Sequence, residues 1–145
     1  MGWPELLERA FSDLDAFLKA SDWWGRENEV VNLFAHRFLA AQVGTEGPLR
    51  SLRQVGIEVA VDQVAGVKRW VRKDLVIWPE SDMTAWSPNA VPSVIVEWKR
   101  QLPATCDPDA IWLKAFCTRY PKTVGYTACA LLDAPRGCLF TRITV

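Results

Sequence analysis

The spacing of apolar residues changes about one third of the way along the chain, from a helical repeat to a strand-like alternation. Over residues 4–19, apolar side chains recur every three to four positions, as on the buried stripe of an amphipathic helix. The same spacing returns over 26–42 and over 108–120, where Asp107-Pro108 opens the pattern. These three segments are predicted helices, and residues 43–54 are a predicted loop because they contain two glycines and a proline.

The alternation that follows predicts a β-hairpin. In the first strand, over 55–65, Ile57, Val59 and Val61 share one face, and Gly66 stands at the turn before a second strand over 67–78. Further strands are predicted over 93–99, 123–133 and 138–145. The order α-α-β-β-β-α-β-β predicts a single α/β domain, over 1–145, with a mixed central sheet flanked by helices.

The composition excludes several classes of protein. The 145 residues suffice for one domain, and eight tryptophans allow a large core. No apolar run reaches the ~18 residues of a membrane span, and no signal-like segment opens the chain, so we expect a cytoplasmic protein. The cysteines form no CxxC motif, which argues against a zinc or redox site and for reduced thiols: Cys106, Cys117, Cys129 and Cys138. The single histidine, His36, falls on the polar face of the second predicted helix, so any hydrolytic chemistry must use carboxylates and lysines.

Positive charge is concentrated in one short run. The formal net charge is zero, which argues weakly against a protein that coats nucleic acid. Residues 68–73 nevertheless carry four bases, which form either a solvated strand or an edge that contacts phosphates: Lys68, Arg69, Arg72 and Lys73. Trp70, inside this run, is a candidate for stacking on a base.

Three charged residues stand out because they adjoin apolar strand segments. The mostly apolar strand over 93–99 ends with Glu97 and Lys99, which share one face because their positions are i and i+2. Asp74 precedes the apolar end of the hairpin's second strand, and it meets Glu97 if these two strands are neighbours. Two carboxylates so close repel each other, and a divalent cation that prefers oxygen ligands, such as Mg²⁺ or Mn²⁺, relieves that repulsion.

The second predicted helix supplies a further acid. At ~100° per residue, Glu27 falls in the middle of the apolar face of this helix, whereas Glu29 falls on the opposite side. We therefore expect Glu27 to point toward the sheet.

Together these residues resemble the PD-(D/E)XK nuclease superfamily, which includes restriction endonucleases and Holliday-junction resolvases. A helical glutamate, Glu27, is followed by a hairpin with an aspartate, Asp74, and then by a strand with Glu97-x-Lys99. The segment 25–34, opened by a glycine and Glu27, is similar to the resolvases, and the resemblance extends over about residues 22–133.

The resemblance implies a restriction-endonuclease-like fold and metal-dependent hydrolysis of phosphodiester bonds in nucleic acid, with DNA as the favoured substrate and an RNA-directed or structure-specific nuclease as a further alternative. It implies that Asp74, Glu97 and the backbone carbonyl of Trp98 hold Mg²⁺ or Mn²⁺, with Glu27 as a ligand directly or through water. Lys99 would orient the attacking water and offset charge in the transition state. Because so small a domain contacts little DNA, we also expect a homodimer or a partner protein.

The chain departs from the family pattern in places. Lys73 stands where the motif name has proline, and Asp74 and Glu97 are far apart in sequence, a distance that the loop over 79–92 absorbs. Gln101 resembles a glutamine that these nucleases often carry. Two acids on the first hairpin strand compete with Asp74 for its role: Glu58 and Asp62.

Each candidate residue also has a purely structural interpretation. Asp74 would then pair with the basic run, Glu97 would pair with Lys99, and Glu27 would be an acid favoured by the helix dipole. The alternative function is accordingly a catalytically silent domain of the nuclease fold that acts in protein–protein interaction or regulation.

Overall fold

The computed structural model describes residues 1–64, 66, 68–84, 90–100 and 108–145. Its main helices are α1 (Trp3–Ala20), α2 (Glu27–Leu33) and α3 (Pro108–Arg119). Its strands are β1 (Val55–Asp62), β2 (Trp70–Ile77), β3 (Val94–Arg100), β4 (Val124–Leu131) and β5 (Gly137–Arg142). The predictions that concern Gln101, Cys106 and Asp107 fall outside the described residues.

The second helix changes its winding after Leu33. After Leu33 the chain continues as a π-helix over Phe34–Leu39 and a 3₁₀ turn over Ala40–Gln42, so the helical segment ends at the predicted residue. The wider turn is closed by the Ala40 N–H, which donates to the carbonyl of Ala35, five residues earlier. His36 is exposed on this segment, as its place on the polar face predicts.

The five strands form one mixed sheet in the order β1-β2-β3-β4-β5. Neighbouring strands are antiparallel except β3 and β4, which are parallel. A parallel pair needs a long crossover, and α3 lies in that connection. The predicted α/β class with a mixed sheet is therefore confirmed.

Helices cover both faces of the sheet, and a separate apolar cluster lies under each. On one face, α1 and α2 pack against Val94, Val96 and Trp98 of β3. On the other face, α3 packs against Ile95, the intervening residue of the same strand. Covering on both faces explains why β3 is so apolar and why a charged residue within it is notable.

The hairpin strand β1 changes the face that it presents at Glu58. Ile57 packs against the α1–α2 cluster, whereas Val59 and Val61 belong to the α3 cluster. The prediction that Ile57, Val59 and Val61 share one face of the strand is therefore wrong. Glu58 has a φ of 54°, a left-handed conformation that interrupts the regular alternation of the strand. In register Glu58 stands opposite Asp74 of β2, because the residues on either side pair as Ile57 with Leu75 and Val59 with Lys73.

No helix in the part of the chain that the structure describes is long and apolar enough to cross a membrane.

Candidate active site

The candidate site lies beyond the last paired residues of β2 and β3. Backbone pairing between these strands runs from Ile77 opposite Val94 to Leu75 opposite Val96. Asp74 and Glu97 come next, and here side chains take part in the hydrogen bonding between the strands. The Asp74 N–H donates to Oε2 of Glu97 at 3.2 Å, and the Trp98 N–H donates to Oδ2 of Asp74 at 2.8 Å. The two acids therefore meet, as their positions on neighbouring strands predict.

Glu97 is a buried acid between a cation and another carboxyl group. The residue is 5% exposed, and Oε1 lies 2.7 Å from Nζ of Lys73. Burial, together with the hydrogen bond and negative charge of Asp74, raises the pKa of Glu97 to about 8, although Lys73 acts in the opposite direction. At neutral pH this pair of carboxyl groups therefore tends to hold a proton, as two acids do when they share one enclosed place.

Lys73 belongs to this site rather than to the surface. The residue is 6% exposed, and its ammonium lies 3.9 Å above the centre of the Trp112 ring of α3. Its assignment to the phosphate-contacting set needs correction because a buried, ion-paired ammonium does not face solvent. The physical reason is the change of face beside Asp74, which turns Lys73 toward the α3 cluster. The other bases of the run are exposed: Lys68, Arg69 and Arg72.

Glu27 and Asp74 line the same small cavity. Glu27 is the first residue of α2, and the cavity, of about 40 Å³, is lined by both acids together with Glu58 and other residues. Burial and the charge of Asp74 raise the pKa of Glu27, while Lys99 lowers it. Glu27 nevertheless keeps an exposed side chain, which differs from the expected place in the middle of an apolar face. The reason is its position at the end of the helix, beyond the residues that pack on the sheet.

Glu29 takes the other side of α2, as its helical angle predicts. Its Oε1 lies 2.6 Å from Nε of Arg26, and it also accepts a hydrogen bond from the backbone N–H of Arg26, the N-cap residue of the helix. Glu27 is thus the glutamate of this turn that faces the sheet.

Lys99 is a partly solvent-exposed cation near Glu27. Its Nζ is 3.0 Å from Oδ2 of Asp109, in the first turn of α3, and its side chain is 43% exposed. Asp109 also contributes to the raised pKa of Glu27, so all three residues belong to one electrostatic neighbourhood. Sequence reasoning missed Asp109, because only the crossover from β3 through α3 brings it beside Lys99.

The donors at this site are carboxylate oxygens, which are the ligands of hard divalent cations. Among the residues that the structure describes, no group of three or more His, Cys, Asp or Glu side chains is arranged to hold a metal ion. The donors that meet directly are therefore a pair, Asp74 and Glu97. The side chain of Trp98 is buried in the α1–α2 cluster, and its backbone carbonyl stays a predicted ligand.

In comparisons with known proteins, the chain matches no family model, no curated protein and no solved structure.

Proposed function

We propose that this protein is a metal-dependent nuclease of PD-(D/E)XK type, with a restriction-endonuclease-like fold, that hydrolyses phosphodiester bonds of DNA. The observation that carries the proposal is the meeting of Asp74 and Glu97 at the end of the paired region of β2 and β3. The mixed sheet is compatible with it, since the hairpin aspartate and the Glu-x-Lys sequence lie on neighbouring strands. Glu27 and Lys99, which the resemblance names as the other site residues, lie in the same group of charges.

The site chemistry fits a Mg²⁺ or Mn²⁺ ion. Burial, followed by the neighbouring carboxyl group of Asp74, raises the pKa of Glu97 to about 8, so the site favours added positive charge. Asp74 and Glu97 would hold the ion, with the Trp98 carbonyl and with Glu27 directly or through water. Bound there, the ion would polarise a phosphate and lower the pKa of a water molecule.

Lys99 is suited to the developing negative charge of the reaction. Its ammonium is held by Asp109 at 3.0 Å but stays partly in solvent, so it can approach a phosphate group. A positioned cation of this kind stabilises charge that forms in the transition state. Three exposed bases lie just before and within β2, and they would contact the DNA backbone and position the DNA without reading its sequence: Lys68, Arg69 and Arg72.

A plasmid-nicking assay with Mg²⁺ tests the proposal. The variants Asp74→Asn and Glu97→Gln keep the shape of each side chain, and each should abolish metal-dependent nicking. Calorimetry with Mn²⁺ should show binding to the wild type and none to Asp74→Asn. Glu29→Gln is the matched control because it removes an acid from the opposite side of α2. A wild type that neither binds Mn²⁺ nor nicks DNA would overturn the proposal.

The catalytically silent domain is the second candidate, and one observation favours it. Lys73, at 2.7 Å from Glu97, already supplies a positive charge inside the site, as a structural ion pair would. In that case Mg²⁺ leaves the melting temperature unchanged, and Asp74→Asn lowers the stability of the protein without any activity to lose.

A further inference from the structure

A large aromatic ring lies exposed close to the candidate active site. Trp24 is 59% exposed, in the connection between α1 and α2 and three residues before Glu27. The guanidinium of Arg100 lies over its ring, 4.7 Å from the ring centre. Such a contact between a cation and an aromatic face is attractive, and it fixes the orientation of both groups.

Arg100 ties this ring to the strand that carries the site. It is the last residue of β3 and follows Lys99 directly, and its Nε donates to the carbonyl of Gly25 at 3.0 Å. The Trp24–Arg100 pair therefore joins the segment just before Glu27 to the strand that carries Lys99.

The exposure of Trp24 is a property of an ordered segment. Arg136 donates to the Leu18 carbonyl, near the end of α1, at 2.8 Å and also to the Trp23 carbonyl. One side chain therefore holds the backbone at the end of α1 and in the connection that follows. Gly25 is tightly packed, since a Cβ there would lie 2.6 Å from the ring of Trp23. A side chain at Gly25 would collide with the Trp23 ring and with Cβ of Glu29, so the residue that follows Trp24 is closely packed.

We propose that Trp24 and Arg100 form a stacking platform for an unpaired nucleobase of the nucleic acid whose backbone enters the candidate active site. A flat ring beside a guanidinium complements both parts of a nucleotide, the π-face of the base and the negative phosphate. In a duplex, each base face is covered by its neighbours, so the platform needs a single-stranded or locally unpaired region. This inference rests on the proposed function, because it names the substrate class of the same site.

Binding without cleavage tests the platform separately from the chemistry. Fluorescence anisotropy in EDTA compares a labelled thymidine oligonucleotide of about 12 nucleotides with a blunt duplex of the same length. Trp24→Ala should weaken binding of the single strand about tenfold and change duplex binding less than about twofold, since stacking on an aromatic side chain is lost. Trp24→Phe should retain most of the affinity because the stacking face is kept.

Two further variants complete the design. Arg100→Lys keeps the charge but loses the planar group, so single-strand affinity should fall to an intermediate value. Leu139→Ala is the matched control, since it removes a half-exposed apolar side chain from β5, away from the site, and should leave both affinities unchanged.

Unchanged single-strand binding by Trp24→Ala, or an equal loss for duplex and single strand, would overturn the platform. A change of sedimentation behaviour in Trp24→Ala with unaltered DNA binding would overturn it too, because Trp24 would then contact another protein surface. A platform that binds single strands in a protein that nicks no DNA would instead refute the proposed nuclease activity alone.

Discussion

Lys73 and Lys99 stand on the two strands that meet at the site, and each pairs with a carboxylate, but their surroundings differ. Lys73 is buried, 2.7 Å from Glu97, with its ammonium over the Trp112 ring. Lys99 pairs with Asp109 at 3.0 Å, and the two side chains are 43% and 25% exposed.

The difference separates a structural cation from a candidate catalytic one. Removing one partner of a buried ion pair strongly destabilises the folded protein, because the other charge is left in a medium of low dielectric. A partly solvated pair contributes little and exchanges easily with water or with another anion. Lys73 is therefore suited to holding Glu97 in place, and Lys99 to meeting a phosphate.

Within this comparison, the largest effect is expected on the nicking activity of the Lys99→Met variant. Nicking should fall roughly 100- to 1,000-fold because a positioned charge is lost in the transition state. The free energy of unfolding should fall by less than about 1 kcal/mol because the pair with Asp109 is partly solvated. Plasmid nicking and urea denaturation, measured on the same preparation, check both values. Full activity in this variant would remove Lys99 from the mechanism.

Lys73→Met should lower the stability of the protein more than Lys99→Met does. Removing the buried cation should lower the free energy of unfolding by about 3 kcal/mol at pH 9, where Glu97 is ionised. At pH 6 the loss should be smaller, because Glu97 holds a proton there and has less need of the cation. Urea denaturation at both pH values measures this. Equal losses for Lys73→Met and Lys99→Met would erase the distinction between the two pairs.

The pH dependence of the free energy of unfolding tests the surroundings of Glu97, the partner of Lys73. The pKa of Glu97 is about 8 in the folded protein against an ordinary 4.5, so the folded state binds more protons between these values. The contribution of Glu97 to stability is therefore greatest at low pH, decreases as the pH rises from 4.5 to about 8, and is level above that. Urea denaturation without metal should show this decrease in the wild type, whereas Glu97→Gln should lack it.

Metal binding should follow the opposite course, because the ion needs the ionised form. Below pH 8 the affinity for Mn²⁺ should fall about tenfold for each pH unit, as calorimetry can measure. Lys73→Met should move the Glu97 titration upward, since Lys73 lowers this pKa, and Lys99→Met should leave it in place. Identical titrations of Glu97 in the two variants would contradict the conclusion that Lys73, and not Lys99, is the cation that lowers the pKa of Glu97.

The smallest expected effect belongs to Asp109→Asn. The variant keeps the shape of the partner but removes its charge, so Lys99 loses an orienting contact and keeps its own ammonium. We expect nicking to fall only a few-fold and the free energy of unfolding to change by less than about 1 kcal/mol. A loss as large as that of Lys99→Met would place Asp109 in a direct role.

The periodicity of apolar residues was sufficient to predict the helices and strands, because burial on one face of a helix or sheet imposes a fixed spacing. The apolar character of β3 agrees with its cover on both faces. The sequence offered the meeting of Asp74 with Glu97 only on the condition that their strands are neighbours, and the strand order fulfils that condition. The periodicity did not reveal that Lys73 is buried, since four bases in six residues are typical of a solvated segment.

The sequence by itself determined which elements form and which acids adjoin apolar strands. Only the tertiary structure decided how these charges pair. The left-handed residue Glu58 changes the face of the hairpin, and so places Lys73 over Trp112 and beside Glu97. The crossover through α3 brings Asp109 to Lys99. Both pairings join residues on different elements, and their energies depend on burial, which local spacing does not encode.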